Sequence, residues 1–104
     1  MKMVKQVYIW SRNFPVEEKY GLQSQIRRAA VSVPSNIAEG AGRSGSREFS
    51  HFLSIAQGSL SELETQYLIA IDLEFAKPDQ ILEDILAQTS KLISGLYKHH
   101  KAKI

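Results

Sequence analysis

Apolar residues in this chain recur at steps of three and four along most of its length, the period of amphipathic helices. The pattern is strongest between Phe49 and Glu74. Phe49, Leu53, Ala56, Leu60, Leu63, Tyr67, Ala70 and Glu74 step alternately by four and three, and all but the last are apolar or small. That is the spacing of a bundle or coiled-coil seam. Phe52, Ile55, Ile69 and Leu73 widen the stripe, so this helix must pack against more than one neighbour. Gly58 interrupts it at a cost of up to about 1 kcal/mol against alanine. With Ala56, Ser59 and Ser61, Gly58 makes a small-residue patch that another helix can approach. Phe75 to Pro78 reads as the turn that follows, with Asp79 placed to cap a last helix. In that helix Leu82, Ile85, Thr89, Leu92, Leu96 and His99 form the stripe, widened by Ile81, Ile93 and Tyr97.

The first half is less regular. Val4, Val7, Tyr8 and Ser11 mark a short first helix, which Phe14-Pro15 ends because a residue before proline is pushed out of the α region. A second helix is predicted from Leu22 to Gly42, with Ile26, Ala29, Ala30, Val33, Ile37 and Ala41 on its apolar face. Pro34 falls inside it, at roughly 3 kcal/mol for an ordinary helix interior. The apolar period continues across Pro34, which predicts a kink rather than a break, with Ser32 or Ser35 satisfying the freed carbonyl. Gly40, Gly42, Ser44 and Gly45 form the clearest break. Gly42 or Gly45 suits a left-handed backbone, Ser44 or Ser46 a cap, and Glu48 an early helical position that favours an anion. Four helices with short connections must alternate in direction. The predicted fold is all-α: one up-down-up-down four-helix bundle over residues 1–104.

Composition narrows the class. With 104 residues there is room for one domain, and 43% apolar against 23% charged residues is ordinary for a globular chain. A core this small is only modestly stable alone, so association would help. The chain has no cysteine, which removes disulfides and thiolate metal sites and fits a reducing cytoplasm. No continuous apolar run suits a signal peptide or a membrane span. The net charge of +2 conceals a division. Residues 1–61 hold eight Lys/Arg and four Asp/Glu, residues 62–84 one Lys and seven acids, and residues 85–104 four Lys and no acid. Such a chain can meet copies of itself with complementary fields, or offer a basic face to nucleic acid.

Chemistry is sparse. The sole Glu-x-x-His match, Glu48 to His51, is a single copy where a carboxylate bundle needs two on facing helices. His99 and His100 diverge on a helix among lysines. No strand precedes any Gly-Ser pair, and Gly40, Gly42 and Gly45 lack phosphate-loop spacing. No nucleophile, base and orienting group can be assembled around Asn36 and Glu39, so an enzyme, a cofactor, a metal site and a small-molecule substrate are not expected. A polar residue at a helical interface more commonly fixes register and oligomeric state. Arg27, Arg28, Arg43 and Arg47 suit two jobs, phosphate contact or ion pairing with Glu39, Glu62 or Glu64. Trp10, Phe14, Tyr20 and Tyr97 are expected to be core or interface anchors.

The segment FPVEEKYGLQSQIRRAAVSVPSNIAEGAGR, followed by EFSHFLSIAQGSLSELETQ, closely resembles the four-helix-bundle proteins named after intervening sequences of bacterial 23S ribosomal RNA. The likeness spans roughly residues 7 to 97. It implies a left-handed bundle assembled as a ring-like homopentamer. It also implies kinship with the accessory variability proteins of diversity-generating retroelements, pentamers with basic surfaces that bind nucleic acid and a reverse transcriptase. The family's first helix is usually longer, with a tryptophan region before the Val-Tyr step that Val7-Tyr8 match; here the start is truncated or the bundle is shorter at one corner. Residue by residue, the expected oligomer interface is Tyr20, Leu22, Arg28, Asn36, Glu39 and Gly58, with Ala38, Gly40 and Ala41 allowing close approach. The expected function is a non-enzymatic assembly module in the cytoplasm. The alternative is an RNA- or DNA-binding accessory protein using Arg27, Arg43, Arg47, Lys98, Lys101 and Lys103.

Overall fold

The computed structural model describes residues 1–104 and contains only helices. α1 spans Lys2–Ser11, α2 Leu22–Ala41, α3 Ser46–Asp72 and α4 Gln80–Lys101, with one 3-10 turn, Val16–Glu18, between α1 and α2. α1 lies against α2 and α4, and α3 against the same two, which places the four helices at the corners of a square. Side-chain pairings run antiparallel at every edge. Ser32 meets Ser59 while Gly40 meets Phe52; Arg27 meets Tyr8 while Gln23 meets Ser11; Tyr67 meets Glu83 while Phe49 meets His100; and Gln6 meets Asp79 near the start of α4. The up-down-up-down order follows.

Seventeen buried apolar residues form one core along the axis. α3 contributes the seam read from its period: Leu53, Ala56, Leu60, Leu63, Tyr67 and Ala70 are all buried. Trp10 reaches across the square to Tyr67, at 4.6 Å between ring centroids. α3 carries about 40 Å of helix, α1 only about 15 Å. The molecule is therefore a rod of 45 × 24 × 20 Å with one short corner.

α2 runs unbroken through Pro34, as the continuing apolar period predicts. Several local expectations are corrected. Neither Ser32 nor Ser35 reaches the Ala30 carbonyl that Pro34 frees: the Ser32 hydroxyl lies 2.7 Å from that of Ser59, and Asn36 Nδ2 donates to the Ser32 carbonyl at 2.8 Å. α3 lacks a serine cap. Its N-cap is Gly45, at φ +96°, and Ser46 is already helical, with its hydroxyl 3.0 Å from His100 Nδ1. Gly42 is right-handed. Asp79 does cap α4, accepting from the Leu82 amide at 3.0 Å, and Glu48 lies in the first turn of α3. α1 buries Val7 and Ser11 as expected, with Met3 and Trp10 added and Val4 half-buried against the core, but Tyr8 turns outward beneath Arg27. α4 buries Leu82, Leu86 and Ile93; Leu92 of the expected stripe is 59% exposed and Ile81 63%.

Candidate functional site

The polar residues singled out by sequence separate into those held inside the protomer and those left free. Arg27 is held. Its Nε donates to the Ser11 hydroxyl at 3.0 Å, an Nη donates to the Tyr8 carbonyl at 3.3 Å, and its guanidinium lies 4.5 Å from the Tyr8 ring centroid. Gln23 donates to the Ser11 carbonyl at 2.9 Å. Both side chains come from α2 and close the C-terminus of α1, whose last carbonyls no residue of its own helix can satisfy. Asn36 is held in the Ser32–Ser59 network between α2 and α3. Glu39 pairs with Arg43 one turn on, the chain's only salt bridge. That pair raises the Arg43 pKa further above its ordinary value, chiefly through the hydrogen bond and charge of Glu39. Arg43 also lies 5.2 Å from the Phe52 ring centroid.

The others are free. Arg28 is exposed and makes no hydrogen bond or ion pair, and Tyr20 is 89% exposed. Leu22 is half-buried at the start of α2. A side chain at Gly58 would meet nothing within 4 Å, so Gly58 itself faces open space, whereas Ala56 of the same small patch is buried and Ser59 bonds Ser32. The close-packed glycine is instead Gly40, where a Cβ would lie 2.7 Å from Phe52 Cβ and 2.9 Å from the Phe49 ring.

One end of the rod gathers the cations. Arg47 at the start of α3 and Lys101 at the end of α4 line one open depression of about 280 Å³ with His51 and Tyr97. Lys98 and Lys103 are exposed on the same end of α4 and have no acidic partner. Arg27 lies elsewhere, along the α1–α2 edge. His100 docks this end: besides Ser46, it faces the Phe49 ring at 4.5 Å. Burial lowers its pKa below the ordinary 6.5, and the charges of His99 and Lys103 push in the same direction.

The opposite end holds an arrangement the sequence did not disclose. The Tyr67 hydroxyl donates to Glu83 Oε2 at 2.6 Å and accepts from the Asp79 amide at 2.8 Å. Trp10 Nε1 donates to the Lys77 carbonyl at 2.7 Å, and Gln6 Nε2 to Asp79 Oδ2 at 3.0 Å. Burial, then the bond to Glu83, push the Tyr67 pKa up to about 12. The hint was a tyrosine in a core stripe, since a buried hydroxyl demands a partner. One buried polar atom stays unmatched: Gln66 Oε1, whose amide Nε2 donates to Glu62.

No three His, Asp or Glu side chains are grouped to hold a metal ion, and no helix is long and apolar enough to cross a membrane. The fold and these surfaces define a small antiparallel four-helix bundle whose open features are faces rather than an enclosed pocket. Residues 1–98 match the family model of the 23S rRNA-intervening sequence protein, and the chain belongs to that family. Among curated proteins nothing matches it.

Proposed function

We propose that this chain is a non-enzymatic, self-assembling helical bundle, a homopentamer that serves as an interaction or scaffold module in the cytoplasm. The observation that carries the reading is the apolar surface left open on one protomer. Thirteen large hydrophobic residues are exposed against seventeen buried apolar ones, so this rod leaves nearly as many uncovered as it hides. Isolated exposed apolar residues are commonplace. Here they recur at helical spacing on flanks: Ile69 on α3 with Leu73 at its C-cap, and Ile81 and Leu92 on α4. The accessible surface, 6482 Å², exceeds the roughly 5,900 Å² expected of a monomer of this mass. The radius of gyration, 14.6 Å, exceeds the usual value of about 13 Å. Fivefold stoichiometry rests on the family likeness. Light scattering over a range of concentrations tests assembly: a mass five times that of the chain is expected, and a concentration-independent monomer refutes the reading.

A second reading, RNA or DNA binding, is favoured by the unpaired cations Arg47, Lys98, Lys101 and Lys103 at one end of the rod. A ring would multiply a weak site on each chain through avidity. Titration with RNA and DNA at two salt concentrations tests it, with weaker binding expected at the higher one. Failure to bind at low salt, or binding without salt dependence, removes it.

A further inference from the structure

At the corner between α1 and α2, Val16 and Tyr20 stand out of the molecule at 79% and 89% exposure, with only the Lys19 ammonium near the Tyr20 ring. Around α1, on the α1–α4 side, is an open depression of about 700 Å³. Its walls include Ile9, Trp10, Ala76, Pro78 and Ile81. A knob and a hollow therefore sit on one protomer, flanking the same short helix. Resting on the self-assembly proposed above, we infer that Val16 and Tyr20 of one protomer insert into the Ile9–Ile81 hollow of the next copy, and that this heterologous contact closes the ring.

Three features select a second copy as the occupant. The first is height. In a ring whose axis runs along the bundle, two surfaces can touch only if they lie at the same level. The knob follows the C-terminus of α1, and the hollow is formed by the C-terminus of α1 with the α3–α4 turn, so both lie at one end of the rod. The second is direction. Tyr8 and Ile9 are consecutive on α1, and Tyr8 borders the knob's side while Ile9 borders the hollow. Successive helical residues diverge by about 100°. Rings of four to six subunits need about 90–120° between their two contact faces, whereas opposite faces would build an open filament. The third is charge. Lys19 lies beside Tyr20, Glu17 lies next to Val16, and the hollow carries Lys77 and Asp79; none of the four forms a salt bridge within its chain. Glu17 can meet Lys77, and Lys19 can meet Asp79, across the contact.

The absence of native cysteine makes the test direct. Two chains of distinguishable length, one Val16→Cys and one Ile81→Cys, are co-expressed and oxidised. The expected product is a disulfide-linked heterodimer, much more abundant than with Val16→Cys and Leu68→Cys, whose Leu68 is exposed on the α3–α4 face. Tyr20→Asp should reduce the assembled fraction at least tenfold with the helical circular dichroism unchanged. No excess heterodimer from a protein that light scattering finds assembled overturns this contact and leaves self-assembly standing. Predominant Val16–Val16 cross-links replace it with a twofold contact. A wild-type monomer at every concentration removes both.

Discussion

The two ends of the rod are fastened by different means. At the end where α3 hands over to α4, a buried tyrosine, a tryptophan and a glutamine hold the connecting turn through Glu83, Asp79 and the Lys77 carbonyl. At the other end, α2 presses against α3 through the absent side chain of Gly40, and His100 leans on Phe49. The first end turns Tyr67, Trp10 and Gln6 to bonds within the chain; the second leaves Arg47, Lys98, Lys101 and Lys103 unpaired. Bonds made inside the chain stabilise the protomer, whereas cations left outside it add little to stability and remain available for a partner.

The sharpest way to break this contrast is Trp10→Ala. The substitution removes a large core side chain, its bond to the Lys77 carbonyl and its ring contacts with Phe14 and Tyr67. A loss of about 3–5 kcal/mol is expected, a large part of what a chain of this size possesses. Denaturant unfolding followed by circular dichroism measures it. By contrast, Arg47→Ala at the other end should stay within about 0.5 kcal/mol of wild type.

Gly40→Ala attacks the cationic end through packing. The new methyl would collide with Phe52 Cβ at 2.7 Å, an atom too near the backbone to swing aside, so a loss of about 1–3 kcal/mol is expected. If the same unfolding measurement shows Gly40→Ala neutral, the close approach of α2 to α3 is not what fastens this end.

Tyr67→Phe keeps the ring and removes the hydroxyl, leaving the Asp79 amide and Glu83 without it, for about 1–2 kcal/mol. Its pH dependence is more telling. The neutral phenol is favoured on folding, so its contribution is complete below pH 10 and is lost as pH rises towards about 12. Wild type should therefore lose stability over that interval and Tyr67→Phe should lose less. Equal alkaline losses would show that the hydroxyl is not what holds the turn.

These experiments probe features of unequal legibility. Helix number, order and the α3 seam could be read because an apolar period of three and four is a property of the string itself. The core side of α4 was read only in part, since Leu82, Ile85 and Leu96 of the expected stripe meet the core while Leu92 does not. Two apolar stripes, one through Leu82 and Leu86 and one through Ile81 and Leu92, have the same period, and only contact with α1 and α3 selects between them. Arg27 read as a phosphate ligand or ion-pair partner. No rule of spacing predicts that it reaches back to close α1. The end of α3 was hidden for another reason. Glu74 adopts φ +61°, and the Phe75 amide returns to the Ala70 carbonyl at 2.9 Å, a Schellman closure. That position normally announces itself with glycine. Glu74→Gly should relieve the left-handed strain and stabilise by up to about 1 kcal/mol; a rise in Tm checks it, and a fall would mean the glutamate side chain compensates for its backbone. Of the surface residues, Tyr20 and Arg28 could be nominated by type, but their exposure is a property of the folded chain alone.

The smallest expected effect belongs to His100. Its pKa is lowered in the folded chain, so folding favours the neutral ring. The resulting stabilisation is complete above about pH 6.5 and is lost as pH falls through the lower folded value. Proton uptake also changes what Nδ1 offers Ser46, since a protonated ring can only donate to the hydroxyl. The α4 C-terminus opposes this, because the helix dipole favours a cation there. The balance should leave a slight loosening of α4 from α3 in acid, confined to the cationic end. Amide hydrogen exchange at Lys98 to Lys101, compared at about pH 5.5 and 7.5 after correction for intrinsic rates, should show protection falling in wild type and flat in His100→Gln. If His100→Gln loses the same protection, this end responds to the summed charge of its lysines rather than to one ring.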